Sequence, residues 1–434
     1  MKQEHSPILL EQLTVGTAWS GHKVNFALLT TPFRQYVGYY NAERQLVIAS
    51  RPLDSAEWTY LTLDTVVGWD SHNTIHLFCD STGCLHIAAN MHASPLIYFQ
   101  MMRPHDLSSI VRVSTLVGNN EERCTYPRFL VGPDGEMIFH YRYGSSGCGN
   151  EIYNVYDVRT GRWFRLLDQP LTSGNGRMNA YFFGPVTGPD GFYHLAWVWR
   201  DSGDCSTNHD LCYACSRDLR HWKNAAGVSL SLPMTCDSPG ITVLPTPPRD
   251  SGLINMCGSI GFDRKKHPVL SFHLYNHDGA SRIYTLRLNQ NGTRQIVPHG
   301  KWPQTERWEF SGHGSIRQMV FAPPVRLEPD GTLLQDFEFV GKESGCWRLN
   351  PETLETIETL PSRTTCPTEL LAMEQSFPGL ISHWLPDAGN SCESGRSWFL
   401  RWETLPANRD QPRLPPLPKP TRLTVCKIQD SQDC

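Results

Sequence analysis

Apolar and polar positions alternate in short runs along almost the whole chain. From Val24 onward, runs rich in Tyr, Trp, Phe, Val and Ile are cut by turns of Gly, Pro, Asp and Asn. Alternation with a period of two residues is typical of half-buried β-strands, and a sustained helical period is hard to find. The pattern predicts an all-β protein.

Two kinds of turn recur between these runs. Hairpin turns lie at residues 41–44, 80–83, 133–135, 189–191, 263–266 and 329–331. A polar turn that leads to a tryptophan occurs at Asp54–Trp58, Asp157–Trp163 and Ser216–Trp222. The last one resembles the Asp-box turn of sialidase-type propellers, with Arg220 where Gly is usual. Repeats of about 50 residues with several strands each predict a β-propeller; seven blades fit these turns, and six stay open.

The predicted propeller occupies residues 1–434 as a single domain. From Pro406 the chain becomes rich in proline, which predicts an extended strap over residues 406–434 at the surface. Within the strap, Thr421–Ile428 is predicted to form a last, closing strand.

Three consecutive hairpins carry polar residues at the end far from their turn. If the first folds about residues 80–83, His72 faces His92, and directly opposed cross-strand residues have Cβ atoms about 4.5 to 5.5 Å apart. The same reasoning places Tyr126 across from Tyr141, with Arg142 next to it. We therefore expect one polar funnel at the ends of neighbouring strands.

The third hairpin adds Asn179 opposite Arg200 to this funnel. Arg177, two residues before Asn179, and His209, in a Thr-Asn-His-Asp-Leu segment, are further candidates for substrate contacts. His76, His86 and His194 lie in the middle of apolar strands, so we interpret them as packing or surface histidines. The glycine-rich loop at residues 144–149 is interpreted as a tight turn, because no helix follows it to form a phosphate site.

Charge and hydropathy exclude several classes of partner. The net charge is -4, and the 19% of charged residues are mixed in sign, so nothing predicts nucleic-acid binding. No apolar run reaches the roughly 18 residues of a membrane span. The first seven residues lack the apolar segment of a signal peptide; the protein is either intracellular or has lost a leader. We expect an extracellular or periplasmic location, and a cytoplasmic one stays open.

The 14 cysteines are even in number, which fits a few disulfides without establishing them. Cys212 and Cys215 lie three residues apart, so in a strand they point to opposite faces and are interpreted as structural. Asn291 begins the only N-glycosylation sequon of the chain.

The residue types of the funnel favour a particular chemistry. Arginine with histidine suits an anionic substrate, because guanidinium binds carboxylate in a bidentate fork. Glycoside hydrolysis usually needs two carboxylates; Asp70, Asp201 and Asp210 keep that alternative open. β-Elimination at a uronate needs a cation for the C6 carboxylate, a base for the C5 proton and an acid for O4, and each part has a candidate.

Several segments together resemble the BNR-repeat-containing propeller family. They are W-D-S-H-N-T-I-H-L at Trp69–Leu77, N-M-H-A-S-P-L-I-Y-F at Asn90–Phe99, T-Y-P-R-F-L at Thr125–Leu130, Y-R-Y-G-S-S-G-C-G-N-E at Tyr141–Glu151, G-R-M-N-A-Y at Gly176–Tyr181, and W-V-W-R-D with T-N-H-D-L-C-Y-A-C-S-R-D within Trp197–Asp218. This family includes ulvan lyases and enzymes that remove terminal L-rhamnose from α-1,4-linked glucuronic acid in arabinogalactan or gum arabic side chains.

The resemblance implies a seven-bladed propeller that cleaves an acidic polysaccharide at a uronate. Tyr126 would be the base, and also the acid, of a syn elimination; Arg142 would neutralise the carboxylate. His72 and His92 would assist proton transfer or hold the carboxylate. Relatives often carry a structural metal, such as calcium, in the central channel, with ligands that the sequence does not assign; no organic cofactor is implied.

One segment departs from the family pattern. Where relatives commonly read Asn-His-Lys, this chain has Met256–Ser259, so a pore-lining histidine and lysine are missing. The function implied is an L-rhamnose-α-1,4-D-glucuronate lyase. The alternatives are an endo-acting ulvan lyase, an α-L-rhamnosidase that hydrolyses the same linkage, and a non-catalytic propeller that binds anionic glycans.

Overall fold

The computed structural model describes residues 7–289, 292–363, 366–389 and 395–429. Within these ranges, 31 strands form seven antiparallel sheets of four or five strands each. The prediction of an all-β chain is confirmed.

Sheets 1 to 3 follow one another along the chain, apart from one short strand that crosses over. Sheet 1 contains β2 (Ala27–Thr30), β3 (Arg34–Tyr40), β4 (Gln45–Pro52) and β5 (Thr59–Val66). Sheet 2 contains β6 (Ile75–Cys79), β7 (Leu85–Ala89), β9 (Tyr98–Met101) and β10 (Ile110–Val113). Sheet 3 contains β8 (His92–Ser94), β11 (Cys124–Val131), β12 (Met137–Ser145), β13 (Cys148–Asp157) and β14 (Arg162–Arg165). Strand β8 lies between β7 and β9 along the chain but pairs with β11. His92 therefore belongs to sheet 3, although the strands on either side of it in sequence belong to sheet 2.

Sheets 4 to 6 continue in the same manner. Sheet 4 contains β15 (Asn179–Thr187), β16 (Tyr193–Arg200), β17 (Asn208–Ser216), β18 (Trp222–Lys223) and β19 (Thr242–Leu244). Sheet 5 contains β20 (Gly258–Phe262), β21 (Pro268–Tyr275), β22 (Ser281–Leu288) and β23 (Arg294–His299). Sheet 6 contains β24 (Val320–Phe321), β25 (Arg326–Leu327), β26 (Leu333–Phe339), β27 (Glu343–Leu349) and β28 (Thr356–Leu360).

Sheet 7 joins the two ends of the described chain. It contains β29 (Ile381–Pro386), β30 (Arg396–Thr404), β31 (Thr421–Gln429) and β1 (Ile8–Ala18), in the order β1-β31-β30-β29. Residues 405–420 connect β30 to β31 without a strand, and the Ser20 hydroxyl donates to the Lys419 carbonyl at 2.7 Å. Strand β31 thus covers the residues for which a last strand was predicted, Thr421–Ile428.

Helical structure in the described residues is limited to five single 3₁₀ turns. They span Leu107–Ser109, Cys205–Thr207, Asn255–Cys257, Gln304–Glu306 and Thr368–Leu370. Across the described chain, no helix has the length and hydropathy to cross a membrane.

The recurring turns have a common cause. In the 80–83 turn, the Asp80 carboxylate accepts the backbone N–H groups of Thr82 at 2.8 Å and Cys84 at 3.0 Å, which is the local bonding that favours Asp and Asn in turns. In the Asp-box-like turn, the carboxylate of Asp218 accepts the backbone N–H of Arg220 at 2.9 Å. There Leu219, with φ of 58°, is the left-handed residue, so position 220 does not require glycine.

The predicted registers are confirmed for two of the three hairpins. Ile75 pairs with Ala89, the register that brings His72 toward His92, and Asn179 pairs with Arg200. In the second hairpin the prediction that Tyr126 pairs with Tyr141 is wrong. Thr125 pairs with Arg142 and Arg128 with His140, so Tyr126 lies in a β-bulge between these pairs.

The cysteines provide no cross-links in the described chain. All 12 described cysteines are free, including buried Cys212 and half-buried Cys215. The sequon residue Asn291 lies outside the described residues.

Candidate active site

A cavity of about 1070 Å³ collects residues from most of the sheets. Its wall includes β2, β6, β11 and β29, together with segments that lead into β20 and β24. Three of the predicted site residues line it, namely His72, Tyr126 and Arg200, and Tyr181 lines it beside them. The cavity is therefore the candidate active site.

Asp70 holds the two predicted site histidines together. Its Oδ1 lies 2.6 Å from Nδ1 of His72, and its Oδ2 lies 2.5 Å from Nδ1 of His92. The imidazole rings stack with centroids 4.1 Å apart. Because an ionised carboxylate only accepts hydrogen bonds, each Nδ1 carries the proton, and the opposite ring nitrogen, Nε2, is left for other partners.

Within this cluster, the charged forms of Asp70 and His72 stabilise each other. Burial opposes ionisation of Asp70, but hydrogen bonds from His72 and His92 outweigh it and hold the pKa of Asp70 well below its usual range. Burial also disfavours the imidazolium of His72, yet Asp70 and Asp410 overcome it and raise the pKa of His72. His72 is therefore more readily protonated than an ordinary histidine.

Asp410 reaches this cluster from the segment between β30 and β31. One of its oxygens accepts the Ser315 hydroxyl at 2.6 Å and the backbone N–H of Ser71 at 3.2 Å, and the other lies 3.5 Å from Nδ1 of His72. Asp410 has a φ of 56°, a left-handed conformation that Asp tolerates better than most residues. The predicted strap thus contributes a carboxylate to the site.

Tyr126 occupies a strained position in the bulge of β11. Its φ is 54°, which is unusual for a bulky residue and more so before Pro127. The bulge turns its ring toward the histidines, 5.7 Å from His72 and 6.5 Å from His92 between centroids. Backbone strain of this kind concentrates at functional sites.

Tyr181 has a strongly lowered pKa for a tyrosine. Its ring lies 5.9 Å from that of Tyr126, and the guanidinium carbon of Arg200 lies 3.9 Å from its centroid. Burial opposes loss of the Tyr181 proton, but Arg200 and Arg142 outweigh burial and lower its pKa to about 7. Burial and the neighbouring Tyr181, in contrast, raise the pKa of Tyr126. The pair therefore favours one phenolate beside one phenol.

The loop between β12 and β13 supports this pair. The hydroxyl groups of Ser146 and Tyr181 lie 2.8 Å apart, and the backbone N–H of Gly147 donates to the Asn179 side chain at 2.6 Å. Gly147 has a φ of 77°, and a Cβ there would lie 2.6 Å from the Cα of Ser202, so glycine is required. The loop is a tight turn, as predicted, and it also places Ser146 in the site.

Arg142 lies behind the two tyrosines and not on the cavity wall. Its guanidinium carbon is 5.0 Å from the Tyr126 centroid and 5.4 Å from the Tyr181 centroid. The residue is 1% exposed, and both its charge and its contact with the Tyr181 hydroxyl stabilise the Tyr181 phenolate. Arg142 therefore acts on the phenol groups through its charge. Of Arg142 and Arg200, only Arg200 faces the cavity, where Asn208 at 2.7 Å and Asn255 at 2.9 Å accept its hydrogen bonds.

The other predicted substrate contacts do not line the cavity. Asn179 is fully buried and holds Gly147, and Arg177 is exposed at the surface. His209 is fixed between Asp201 at 3.0 Å and Asp210 at 3.1 Å.

Four residues of the candidate site were not predicted from the sequence. Tyr181 had a usable signal, because it lies two residues after Asn179 on one strand and strand alternation puts both on one face. Ser146, Ser315 and Asp410 carried none, since loops bring them together over long sequence distances.

The Asp70 cluster brings three possible metal-ligand atoms together. The ligand atoms of Asp70, His72 and His92 lie within 4.8 Å of one another. Calcium prefers six to eight oxygen ligands, whereas this set offers two nitrogens and one carboxylate already committed to hydrogen bonds. The cluster does not fit the calcium ion that the family resemblance implies for the central channel.

The sequence matches a described family over most of its length. A family model described as "BNR repeat-containing family member" matches residues 34–302. The short isoform of ulvan lyase from Alteromonas sp. (strain LOR) is 25% identical over 134 residues, which are 28% of this chain and 25% of that protein. The match thus spans about a quarter of the length of that relative.

Solved structures share the fold at low sequence identity. The polysaccharide lyase Uly1 gives a TM-score of 0.62 at 14% identity, over 98% of this chain and 100% of that chain. A PL25 ulvan lyase bound to -[GlcA(1-4)Rha3S]- gives 0.58 at 13% identity, over 92% and 94%. At this level of identity, these similarities show that almost the whole chain shares the fold of the two solved structures. On the match over residues 34–302, the chain belongs to the BNR repeat-containing family.

Proposed function

We propose that this protein is a seven-bladed propeller polysaccharide lyase of the ulvan lyase type, which cleaves an acidic polysaccharide at glucuronate by β-elimination. The observation that carries the proposal is the Tyr126–Tyr181 pair, which lines one cavity together with His72 and lies beside two arginines. The seven sheets, and the pairing of β1 with β31 in sheet 7, support a closed propeller.

Arg200 and His72 are the cations available for the substrate carboxylate. Both line the cavity, and the raised pKa of His72 favours its charged form. A cation at the C6 carboxylate stabilises the negative charge that develops when C5 loses its proton. Arg142 serves the same reaction indirectly, by favouring a phenolate.

The tyrosine pair supplies both proton transfers. The Tyr181 phenolate removes the C5 proton, and the C5 electron pair forms the C4–C5 double bond as the C4–O4 bond breaks. The Tyr126 phenol donates its proton to O4 of the leaving sugar. The pair then again holds one proton and one negative charge, and a proton shift from Tyr181 to Tyr126 restores the starting state.

Glucuronate with rhamnose at O4 is the substrate that we propose. A similar solved protein is described with a GlcA(1-4)Rha3S repeat bound, which supports ulvan. The motifs between Trp69 and Asp218 resemble a family that also includes rhamnose-releasing enzymes, which supports gum arabic side chains as the second candidate. A polysaccharide substrate also favours an extracellular or periplasmic location.

The cavity argues against hydrolysis. Among the described residues that line it, Asp80 is the single carboxylate, and Asp80 is occupied by its own turn and by His86 at 3.2 Å. Asp201 and Asp210 flank His209 instead. A pair of catalytic carboxylates, which glycosidases use, is therefore missing from the lining.

The deciding experiment follows the ultraviolet absorbance of an unsaturated uronate on ulvan and on gum arabic, together with free rhamnose. Absorbance with unsaturated oligosaccharides from ulvan supports an endo-lyase, and absorbance with free rhamnose from gum arabic supports the exo-lyase. Rhamnose without absorbance means hydrolysis. Binding without product from either polysaccharide refutes the lyase proposal and identifies a binding propeller.

A further inference from the structure

A buried polar layer lies behind Arg142, and the proposed mechanism does not use it. Glu151 on β13 pairs directly with Arg142 on β12. The next pair that points to the same face of sheet 3 is Tyr153 with His140. These side chains are at most 6% exposed, and none of them lines the candidate cavity. Glu151, His140 and Tyr153, which we call the rear polar layer, are therefore out of reach of a substrate.

Glu151 is the carboxylate of the rear polar layer. Sheet 3 has the strand order β13-β12-β11, so the strand that carries Arg142 separates Glu151 from Tyr126. Nδ1 of His140 lies 3.7 Å from the Glu151 carboxylate. Burial lowers the pKa of His140, which leaves this ring neutral at neutral pH. Arg142 is therefore the buried cation that faces Glu151 across the two strands.

The Arg142 side chain is directed along the sheet toward the tyrosines. A Cβ at Gly149, two residues before Glu151, would lie 2.9 Å from both Cγ and Cδ of Arg142, so the arginine stem passes over this glycine. Its guanidinium carbon then lies 5.0 Å from the Tyr126 centroid and 5.4 Å from the Tyr181 centroid. Burial disfavours the charged guanidinium, but Tyr181, Tyr126 and Glu151 outweigh burial and raise the pKa of Arg142.

Two anions therefore share the charge of Arg142, namely the Tyr181 phenolate and the Glu151 carboxylate. Each reduces the positive potential that Arg142 presents to the other, because the potentials of charges add. The titratable and charged groups that face Tyr181 are Arg200, Arg142, Tyr126 and His72. Those that face Glu151 are Arg142, His140 and Tyr153. Glu151 is the only carboxylate in these two sets.

We propose that Glu151 is a positioning residue for the proposed reaction: from behind the site, its carboxylate balances the buried Arg142 and moderates how strongly that arginine stabilises a phenolate at Tyr181. The balance matters because a more acidic phenol gives more phenolate but a weaker base. The catalytic consequence rests on the proposed function, whereas the charge balance itself does not.

The first test is a double-mutant cycle on stability, which needs no substrate. The melting temperature of the full chain is measured for the wild type, Arg142→Gln, Glu151→Gln and the double variant. Glu352→Gln is the matched control, because it makes the same substitution at a side chain that is 72% exposed.

Each single variant leaves one buried charge without its counterpart and should lose several degrees, whereas the double variant should lose clearly less than the sum of the two. The control should melt like the wild type. Losses that simply add overturn the pairing. If Glu151→Gln does not fold by itself, a folded double variant supports the pairing and an unfolded one overturns it.

The second test follows ionisation of Tyr181 by the ultraviolet absorbance of tyrosinate, with Tyr181→Phe as the blank. Loss of the carboxylate in Glu151→Gln should lower the midpoint by about half a unit to one unit, the opposite sign to Arg142→Gln. Glu151→Asp, which keeps the charge, should titrate close to the wild type. A midpoint that is unchanged or raised in Glu151→Gln overturns the proposal.

The third test connects the charge balance to turnover. In Glu151→Gln the pH profile of kcat/KM for formation of unsaturated uronate should move to lower pH by the same amount, with a lower plateau and an unchanged KM. An equal loss at every pH indicates a purely structural role and overturns the catalytic part. If the wild type forms no unsaturated uronate, the lyase proposal fails, while the stability cycle and the titration still decide the charge balance.

Discussion

Replacement of Arg142 by glutamine separates two roles that an active-site arginine can have. Arg142 lies behind the tyrosine rings and does not line the cavity, so its loss should leave substrate contacts in place. Its charge contributes to the lowered pKa of Tyr181. Arg142→Gln should therefore reduce the phenolate population without removing the base.

The magnitude follows from the Tyr181 pKa. Arg200 and Arg142 bring it to about 7, and a full return to the ordinary tyrosine value near 10 would reduce the phenolate at neutral pH about 10³-fold. Because the charge of Arg200 remains, and is the largest single cause that lowers this pKa, we expect a loss of about 10- to 100-fold at pH 7. The sign is definite: a raised pKa moves the rising limb of the activity profile to higher pH.

The assay is kcat/KM for formation of unsaturated uronate as a function of pH. Activity of Arg142→Gln should approach that of the wild type in alkaline solution, where Tyr181 ionises without help, and KM should change little. Arg142→Lys, which keeps the charge, should shift the profile less. An equal loss at every pH, or a large rise in KM alone, would refute this reasoning and return Arg142 to the role of a carboxylate ligand.

Three further substitutions test other parts of the site. Tyr126→Phe removes the proposed proton donor and should lower kcat about 10²-fold or more; activity near that of the wild type would rule out this role. Asp70→Asn leaves both histidines without their shared anion, so kcat should fall about 10- to 100-fold and the pKa of His72, followed by NMR, should drop; an unchanged His72 titration would contradict it. Asp410→Asn removes a weaker anionic neighbour of His72, 3.5 Å from its Nδ1. It should lower the pKa of His72 less than Asp70→Asn does, with an activity loss below about tenfold. An effect on that pKa equal to the effect of Asp70→Asn would contradict the ranking of these two carboxylates.

Strand periodicity accounts for the part of the site that was predictable. The facing positions of His72 and His92, and of Asn179 and Arg200, follow from hairpin registers that hold in the structure. Register specifies which residues share an edge of a sheet. Register does not specify which side chains face the cavity. Asn179 does not line the cavity; its side-chain oxygen accepts the backbone N–H of Gly147 in the loop between β12 and β13.

The rest depended on features without a periodic signal. The bulge at Tyr126 moves this ring away from its expected partner and toward the histidines. Tyr181 becomes acidic only because two arginines from different strands approach it in space. Asp410 lies more than 300 residues from Asp70 along the chain, and only the completed fold brings it to His72.

The pairing of β1 with β31 has a consequence for biosynthesis. Strand β1 emerges from the ribosome before sheets 1 to 6, but its hydrogen-bonded neighbour, residues 421–429, and the carboxylate of Asp410 emerge only after those sheets. A nascent chain can form sheets 1 to 6 in order, as large proteins commonly do. During that time β1 lacks its hydrogen-bonded partner strand, β31. His72 lacks its second anionic neighbour throughout that time. Full activity should therefore appear only after the segment that carries Asp410 and β31 has docked.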